Sequence, residues 1–131
     1  DIVCGCEYGR QKVGGLFTST ANVKEKRDVV ERFIKAYQKG IDDYRAALID
    51  GDANQEEMLN LIHKYVYSDQ DAAKALPKIK DGAMYIEKDG RLDVADVYKQ
   101  IQWYKDLGLV DASAEGSEIV DTTFIEPLTM P

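Results

Sequence analysis

Between Asp28 and Leu48 the apolar and aromatic residues fall at Val30, Phe33, Ile34, Tyr37, Ile41, Tyr44 and Leu48. Steps of three and four place them on one face of an α-helix, and the stripe runs for about five turns. A helix of that length is held mainly by what covers its apolar face, so it should organise the packing around it. The stripe predicts a helix over about 28–49. Val30, Phe33, Ile34, Tyr37, Ile41 and Leu48 face inward; Glu31, Lys35, Gln38 and Asp42 face water. Asp28 suits the N-cap or first turn, and Asp50-Gly51 is a natural stop. Gly40 costs about 1 kcal/mol relative to Ala in the helix interior and reads as a place where another backbone packs closely.

The same logic places more helices downstream. Asn54, followed by Gln55, Glu56 and Glu57, opens one over about 54–67 with Met58, Leu61, Ile62, Tyr65 and Val66 on its apolar face. Ser68 and Asp69 cap another over about 69–79, through Ala72, Ala73 and Leu76, which Pro77 breaks or kinks. Asp93 caps the next, over about 93–107, with Val94, Val97, Tyr98, Ile101 and Tyr104 on one face and Gly108 as its stop. A short terminal helix is expected over about 118–126, before Pro127. Asp81-Gly82 and Asp89-Gly90 are turn signals around a short extended segment at 83–87.

One convincing strand stands against these helices. The run from Val13 to Thr20 is rich in β-formers and ends in hydroxyls, so a strand over about 13–20 is expected, buried on both faces. Gly14 and Gly15 suggest a bend within it. Such a strand needs neighbours on both sides, and the only other candidate is a weak one near Tyr85. The chain therefore calls for more sheet than it carries.

With 131 residues, the length prior gives one domain, long enough to bury a real core. A net charge of −7 argues against a nucleic-acid or anionic-membrane surface, which needs clustered Lys and Arg. No run approaches the roughly 20 apolar residues of a membrane helix. The chain begins at Asp1 without an initiator Met, which implies that a preceding segment was removed. Cys4 and Cys6 leave little room for an unstrained disulfide, and with His63 as the only histidine they fall short of a four-ligand zinc site. They read as small, reduced, buried apolar residues. No cofactor is expected.

Several stretches, in order, resemble one family. Gly14-Gly15-Leu16-Phe17-Thr18-Ser19 is similar to its strand returning between lobes. Val29-Val30-Glu31-Arg32-Phe33-Ile34-Lys35-Ala36-Tyr37-Gln38-Lys39-Gly40 resembles the helix that follows. Asp89-Gly90-Arg91-Leu92-Asp93-Val94 resembles the turn before a late helix, and Gln102-Trp103-Tyr104-Lys105-Asp106-Leu107-Gly108-Leu109-Val110 its closing helix. Ile119-Val120-Asp121-Thr122-Thr123-Phe124 resembles the terminal segment. The family is that of the NMT1/THI5-like, nitrate/sulfonate/taurine-type substrate-binding proteins of ABC transporters. The resemblance implies an α/β fold, periplasmic binding protein-like of type II, of which 1–131 is a single C-terminal segment, mostly helical with one or two short strands. It also implies a small-molecule solute, ABC permease transmembrane subunits as partners, and a place in the periplasm or on the extracellular face of the membrane.

Under that resemblance Tyr8, Arg10 and Gln11 are the candidate ligand-binding residues, with Glu7 beside them, because they precede the strand that crosses between lobes. A phenol and a carboxamide can orient a polar solute, and a guanidinium can fork onto a sulfonate or carboxylate. The alternative is a surface loop made polar by solvent. Trp103 and Tyr104, about 100° apart on a helix, cannot both face one pocket, so they read as core and rim packing, as do Tyr37, Tyr44, Tyr65 and Tyr67. His63 reads as a boundary residue. Asp42-Asp43 and Glu56-Glu57 point in different directions and form no catalytic pair.

A non-enzymatic solute receptor closing about its ligand is the leading reading. A thiamine-pyrimidine-synthase-like enzyme of the same fold is the first alternative, since that branch carries cysteines before the returning strand; here Glu7 to Lys12 separate Cys6 from it. The third is a small helical interaction module, which lacks any device to cover an orphan strand.

Overall fold

The structure, a computed structural model, describes residues 14–51 and 54–131. They are mostly helical: α1 (Thr20–Glu25), α2 (Arg27–Tyr44) continuing as a π-helical turn (Arg45–Ile49), α3 (Gln55–His63), α4 (Ala72–Asp81), α5 (Val94–Asp106) and α6 (Gly116–Ile119). Among the described residues no strand forms; the nearest thing is one isolated parallel bridge between Asp93 and Thr129. The chain divides into two compact units, one of 14–31 with Arg91–Pro131, the other Arg32–Gly90.

The strand expected over about 13–20 is not there. Residues 14–19 are irregular and exposed, with Phe17 98% accessible. The hydroxyls that closed the apolar run serve a helix instead. Ser19 is the N-cap of α1, its Oγ accepting from Asn22 N at 3.2 Å, while Asn22 Nδ2 donates to Thr18 Oγ1 at 3.0 Å. That cap satisfies a helix-end donor and turns the chain out of the extended course.

In the unit Arg32–Gly90, the long stripe mostly forms the inward face of α2. Ile41 is buried and Ile34, Tyr37 and Tyr44 are partly so, while Lys35 and Asp42 are exposed. Phe33 departs from expectation at 57% exposure, and Gln38 turns half inward to donate to the Asp89 carbonyl at 2.9 Å. Gly40 has open space where a Cβ would go, so among the described residues no neighbouring backbone packs against it. The close approach lies at Gly90, in the left-handed region at φ +65°, where a Cβ would stand 2.9 Å from Ile41 Cδ1.

The core of this unit is the packing of α3 on α4: Leu59, Ala75 and Ile79 are buried, with Leu48, Ile62 and Leu76 against them. The sequence pattern put Leu61, Tyr65 and Val66 on the inner face of α3; all three are exposed, and the helix ends at His63. The inward positions are Met58, Leu59 and Ile62. Asn54 is left-handed and does not cap with its side chain; Gln55 Nε2 reaches back to the Ala47 carbonyl at 3.2 Å instead. Asp71, not Ser68 or Asp69, caps α4 through Ala73 N at 2.9 Å. Pro77 does not end α4, which runs on to Asp81. The helix bond it cannot donate would go to Ala73, and both residues face solvent.

In the other unit, α5 is capped by Asp93, whose carboxylate accepts from Asp96 N at 3.0 Å, and it closes at Gly108 with φ +67°. Val94 is its fully buried residue. Gly116 at the start of α6 is also buried, and a Cβ there would lie 2.5 Å from Tyr98 Cε2. The terminal helix expected over about 118–126 stops at Ile119. Beyond it Asp121 Oδ1 accepts from Thr123 N at 2.8 Å and Thr123 Oγ1 at 2.6 Å, a local turn that competes with helix. The remaining segment lies along the start of α5. Leu128 N donates to Leu92 O at 2.8 Å, Val94 N to Thr129 O at 3.3 Å, and Ala95 N to Thr129 Oγ1 at 3.3 Å.

Three stability outcomes follow from this packing. Leu59→Ala should cost about 2–5 kcal/mol while Phe33→Ala costs under about 1 kcal/mol, in denaturant titrations of both variants. Gly40→Ala should stabilise by about 0.5–1 kcal/mol, and Gly116→Ala should destabilise through Tyr98. The Asp121 carboxyl is held below the ordinary Asp range by the Thr123 side chain and backbone hydrogen bonds, with Arg27 adding to them. Because its folded pKa is depressed, its contribution is present above the unfolded value of about 3.9 and fades as pH falls through the folded pKa. The melting-temperature gap between wild type and Asp121→Asn should therefore be flat from neutral pH to about 4 and close below it.

Candidate functional site

A half-open groove of about 210 Å³ lies within the unit Arg32–Gly90. Tyr44 from α2, Ile62 from α3, Val66 and Tyr67 from the loop after it, Lys78, Ile79 and Gly82 at the end of α4, and Ala83 line it. Its floor is the outer side of the α3–α4 contact, since Ile62 and Ile79 serve the core and the groove alike. Burial raises the Tyr44 phenol above its ordinary pKa, and its hydroxyl donates to the Met84 carbonyl at 2.8 Å.

The mouth of the groove is built with more care than its floor. Tyr67 has φ 57°, a left-handed conformation that costs a bulky non-glycine residue on the order of 1–2 kcal/mol. Three bonds hold the loop there. Gln70 N donates to the Tyr67 carbonyl at 2.9 Å, and His63 Nε2 lies 3.1 Å from that carbonyl and 3.0 Å from the carbonyl of Gln70. Carbonyls only accept, so Nε2 carries the hydrogen. Gln70 Oε1 in turn accepts from Lys78 Nζ at 2.7 Å, which sets that ammonium 5.6 Å from the Tyr67 ring centroid. His63, Tyr67, Gln70 and Lys78 thus form one connected arrangement around an apolar hollow.

A second cluster in the same unit is structural. Arg45 donates to the Ile86 carbonyl, stacks 4.9 Å from the Tyr85 ring and lies 4.0 Å from Asp50. Its own proton is held more tightly than usual, chiefly by the hydrogen bond with Tyr85. Among the described residues no group of three or more His, Cys, Asp and Glu stands ready for a metal ion, and no helix is long and apolar enough to cross a membrane.

The candidate ligand residues Tyr8, Arg10 and Gln11 lie outside the described residues, as do Glu7, Cys4 and Cys6. Trp103 and Tyr104 are exposed and lean on one another, with ring centroids 5.2 Å apart at 46°, instead of forming core or facing a pocket. His63 is half-buried at the boundary, but it has a task the sequence reading did not assign, which is holding the Tyr67 loop. Tyr44, Tyr67 and Lys78 were missed as a set. The left-handed turn at Tyr67 carries no glycine or asparagine to signal it.

The chain was compared with models of protein families, with curated proteins and with solved structures, and it matches none of them.

His63→Ala should cost about 0.5–1.5 kcal/mol by the loss of its hydrogen bonding to the loop. Amide hydrogen exchange at Gln70 should then speed up while exchange in α5 stays unchanged, a comparison that mass spectrometry of proteolytic fragments can make.

Proposed function

We propose that the chain is the C-terminal portion of an NMT1/THI5-like, nitrate/sulfonate/taurine-type solute-binding component of an ABC importer. It captures a small organic molecule in an interlobe cleft and hands it to permease transmembrane subunits at the periplasmic or extracellular face of the membrane. In this reading the type II, periplasmic binding protein-like sheet comes from polypeptide other than the described residues, and closure of two lobes on the solute is the signal the permease reads.

The observation that carries the reading is the surface left open. The largest fully buried side chain is Val94, while Phe17, Phe33, Tyr65, Met84, Trp103 and Leu109 are all more than half exposed. Large apolar residues left open in this number support a reading in which other polypeptide covers them. From α2 onward, a long helix, a left-handed Asp89-Gly90 turn and a helix capped by Asp93 that stops at Gly108 stand in the order of the resemblance, while the strand that should precede them does not form at 14–19.

The test is calorimetric titration of small polar solutes into this chain and into the protein with both lobes. The two-lobe protein should bind its solute tightly and the 131-residue chain should not, since half the convergent groups are missing from it. Micromolar binding of that solute by the chain alone would overturn the proposal. In the two-lobe protein Tyr8→Phe and Gln11→Ala should weaken affinity several-fold, one neutral hydrogen bond being worth about 0.5–1.5 kcal/mol, with the melting temperature nearly unchanged.

A further inference from the structure

The groove beside Tyr67 has the features of a ligand site in its own right, independent of the transport reading. Its floor, Ile62 and Ile79, is apolar. Its volume of about 210 Å³ suits a single aromatic ring or a short alkyl chain, below the range of roughly 300–1,000 Å³ that holds larger ligands. At its mouth the Lys78 ammonium donates to Gln70 Oε1 at 2.7 Å and lies 5.6 Å from the Tyr67 ring centroid. Among the described residues Gln70 is its hydrogen-bond partner, and an ammonium carries two further protons.

A third observation bears on purpose. The chain holds Tyr67 in a left-handed conformation that glycine would adopt without strain, and it uses His63 and Gln70 to keep it there. Strain held by surrounding bonds is a property of binding loops, and here it delivers an aromatic face and a cation to the same apolar hollow. An apolar floor, an aromatic wall and one oriented positive charge select a ligand with an apolar body and one anionic head. We propose that this groove binds a small carboxylate with a compact apolar body, of which benzoate is the simplest probe. The ring rests on Ile62 and Ile79 beside Tyr67, and the carboxylate accepts from Lys78.

The test is a titration of the 131-residue chain with sodium benzoate, followed through the Ile62 and Ile79 methyl resonances and the Tyr67 amide. Its neutral isostere benzamide and cationic benzylamine serve as controls. Benzoate should give saturable shifts confined to these positions, with a dissociation constant of the order of millimolar for so small a body. Benzamide should bind several-fold more weakly and benzylamine not measurably. Lys78→Gln should weaken benzoate about fivefold or more while leaving benzamide unchanged, and Lys78→Arg should keep the preference for the anion. Tyr67→Gly should weaken benzoate while the melting temperature holds or rises, because the ring is lost and the strain with it. Equal affinity for benzoate and benzamide, shifts that do not saturate, or a Lys78→Arg variant without anion preference would each overturn the proposal. None of these outcomes bears on whether the two-lobe protein binds its solute.

Discussion

The contact of α3 with α4 at Leu59, Ala75 and Ile79 is what the unit Arg32–Gly90 depends on. Ala75 is wholly inaccessible, and a small residue there lets two short helices approach closely enough for Leu59 and Ile79 to meet. Neither α3, of nine residues, nor α4, of ten, would hold as a helix alone in water. Each persists because the other covers its stripe. The groove is a by-product of the same contact, since Ile62 and Ile79 present one side to the core and the other to the hollow. A cavity-forming change at Leu59 would therefore loosen the groove through Ile79 while leaving every lining residue unsubstituted.

A second constraint is where the extended segments find hydrogen bonds when no sheet is available. Buried or half-buried carbonyls require donors. Along 83–87, Tyr44 donates to Met84 O and Arg45 to Ile86 O, alternate carbonyls that point to one side as they would in a strand. In the terminal segment Arg27 donates to the Thr123 carbonyl at 3.4 Å and its hydroxyl at 3.1 Å while its guanidinium stacks 4.2 Å from the Phe124 ring. Arg91 donates to Glu126 O at 3.4 Å and Pro127 O at 2.7 Å. Side chains from α2, its π-helical turn and the loop before α5 thus take the place of a backbone ladder. A guanidinium suits this use because its planar fork can reach two acceptors and still stack on an aromatic face.

That substitution explains what was legible in the sequence and what was not. The helix predicted over about 93–107 and the one observed at Val94–Asp106 share the Asp93 cap and the Gly108 stop, because both signals are local: a carboxylate within reach of the Asp96 amide and a glycine free to take positive φ. The mostly helical character of the segment was legible for the same reason. The strand over about 13–20 was inferred from β-forming composition, but composition does not supply a neighbour, and Ser19 offered the chain a helix cap instead. The inner face of α3 was misread because Leu61 and Leu59 are equally apolar, and only the partner helix decides between them. Tyr67 was unreadable in a stronger sense. Its backbone conformation runs against its own preference and is imposed by bonds from His63, four residues before it, and Gln70, three after.

The exposed apolar surface and the strained loop call for different explanations. Phe17 and Trp103 are more than half exposed, and a covering surface needs only area and shape. Tyr67 is different, because hydrophobic cover by another polypeptide would not require the hydrogen-bonded chain that runs from His63 through Gln70 to Lys78. Cover is satisfied by any orientation of a tyrosine ring, whereas a ring held at a defined distance from an ammonium is a directional arrangement. Directional arrangements discriminate among ligands by charge and shape, which apolar area alone does poorly. The open surface therefore fits the proposed attachment to more protein, and the loop fits the proposed selection of a small carboxylate.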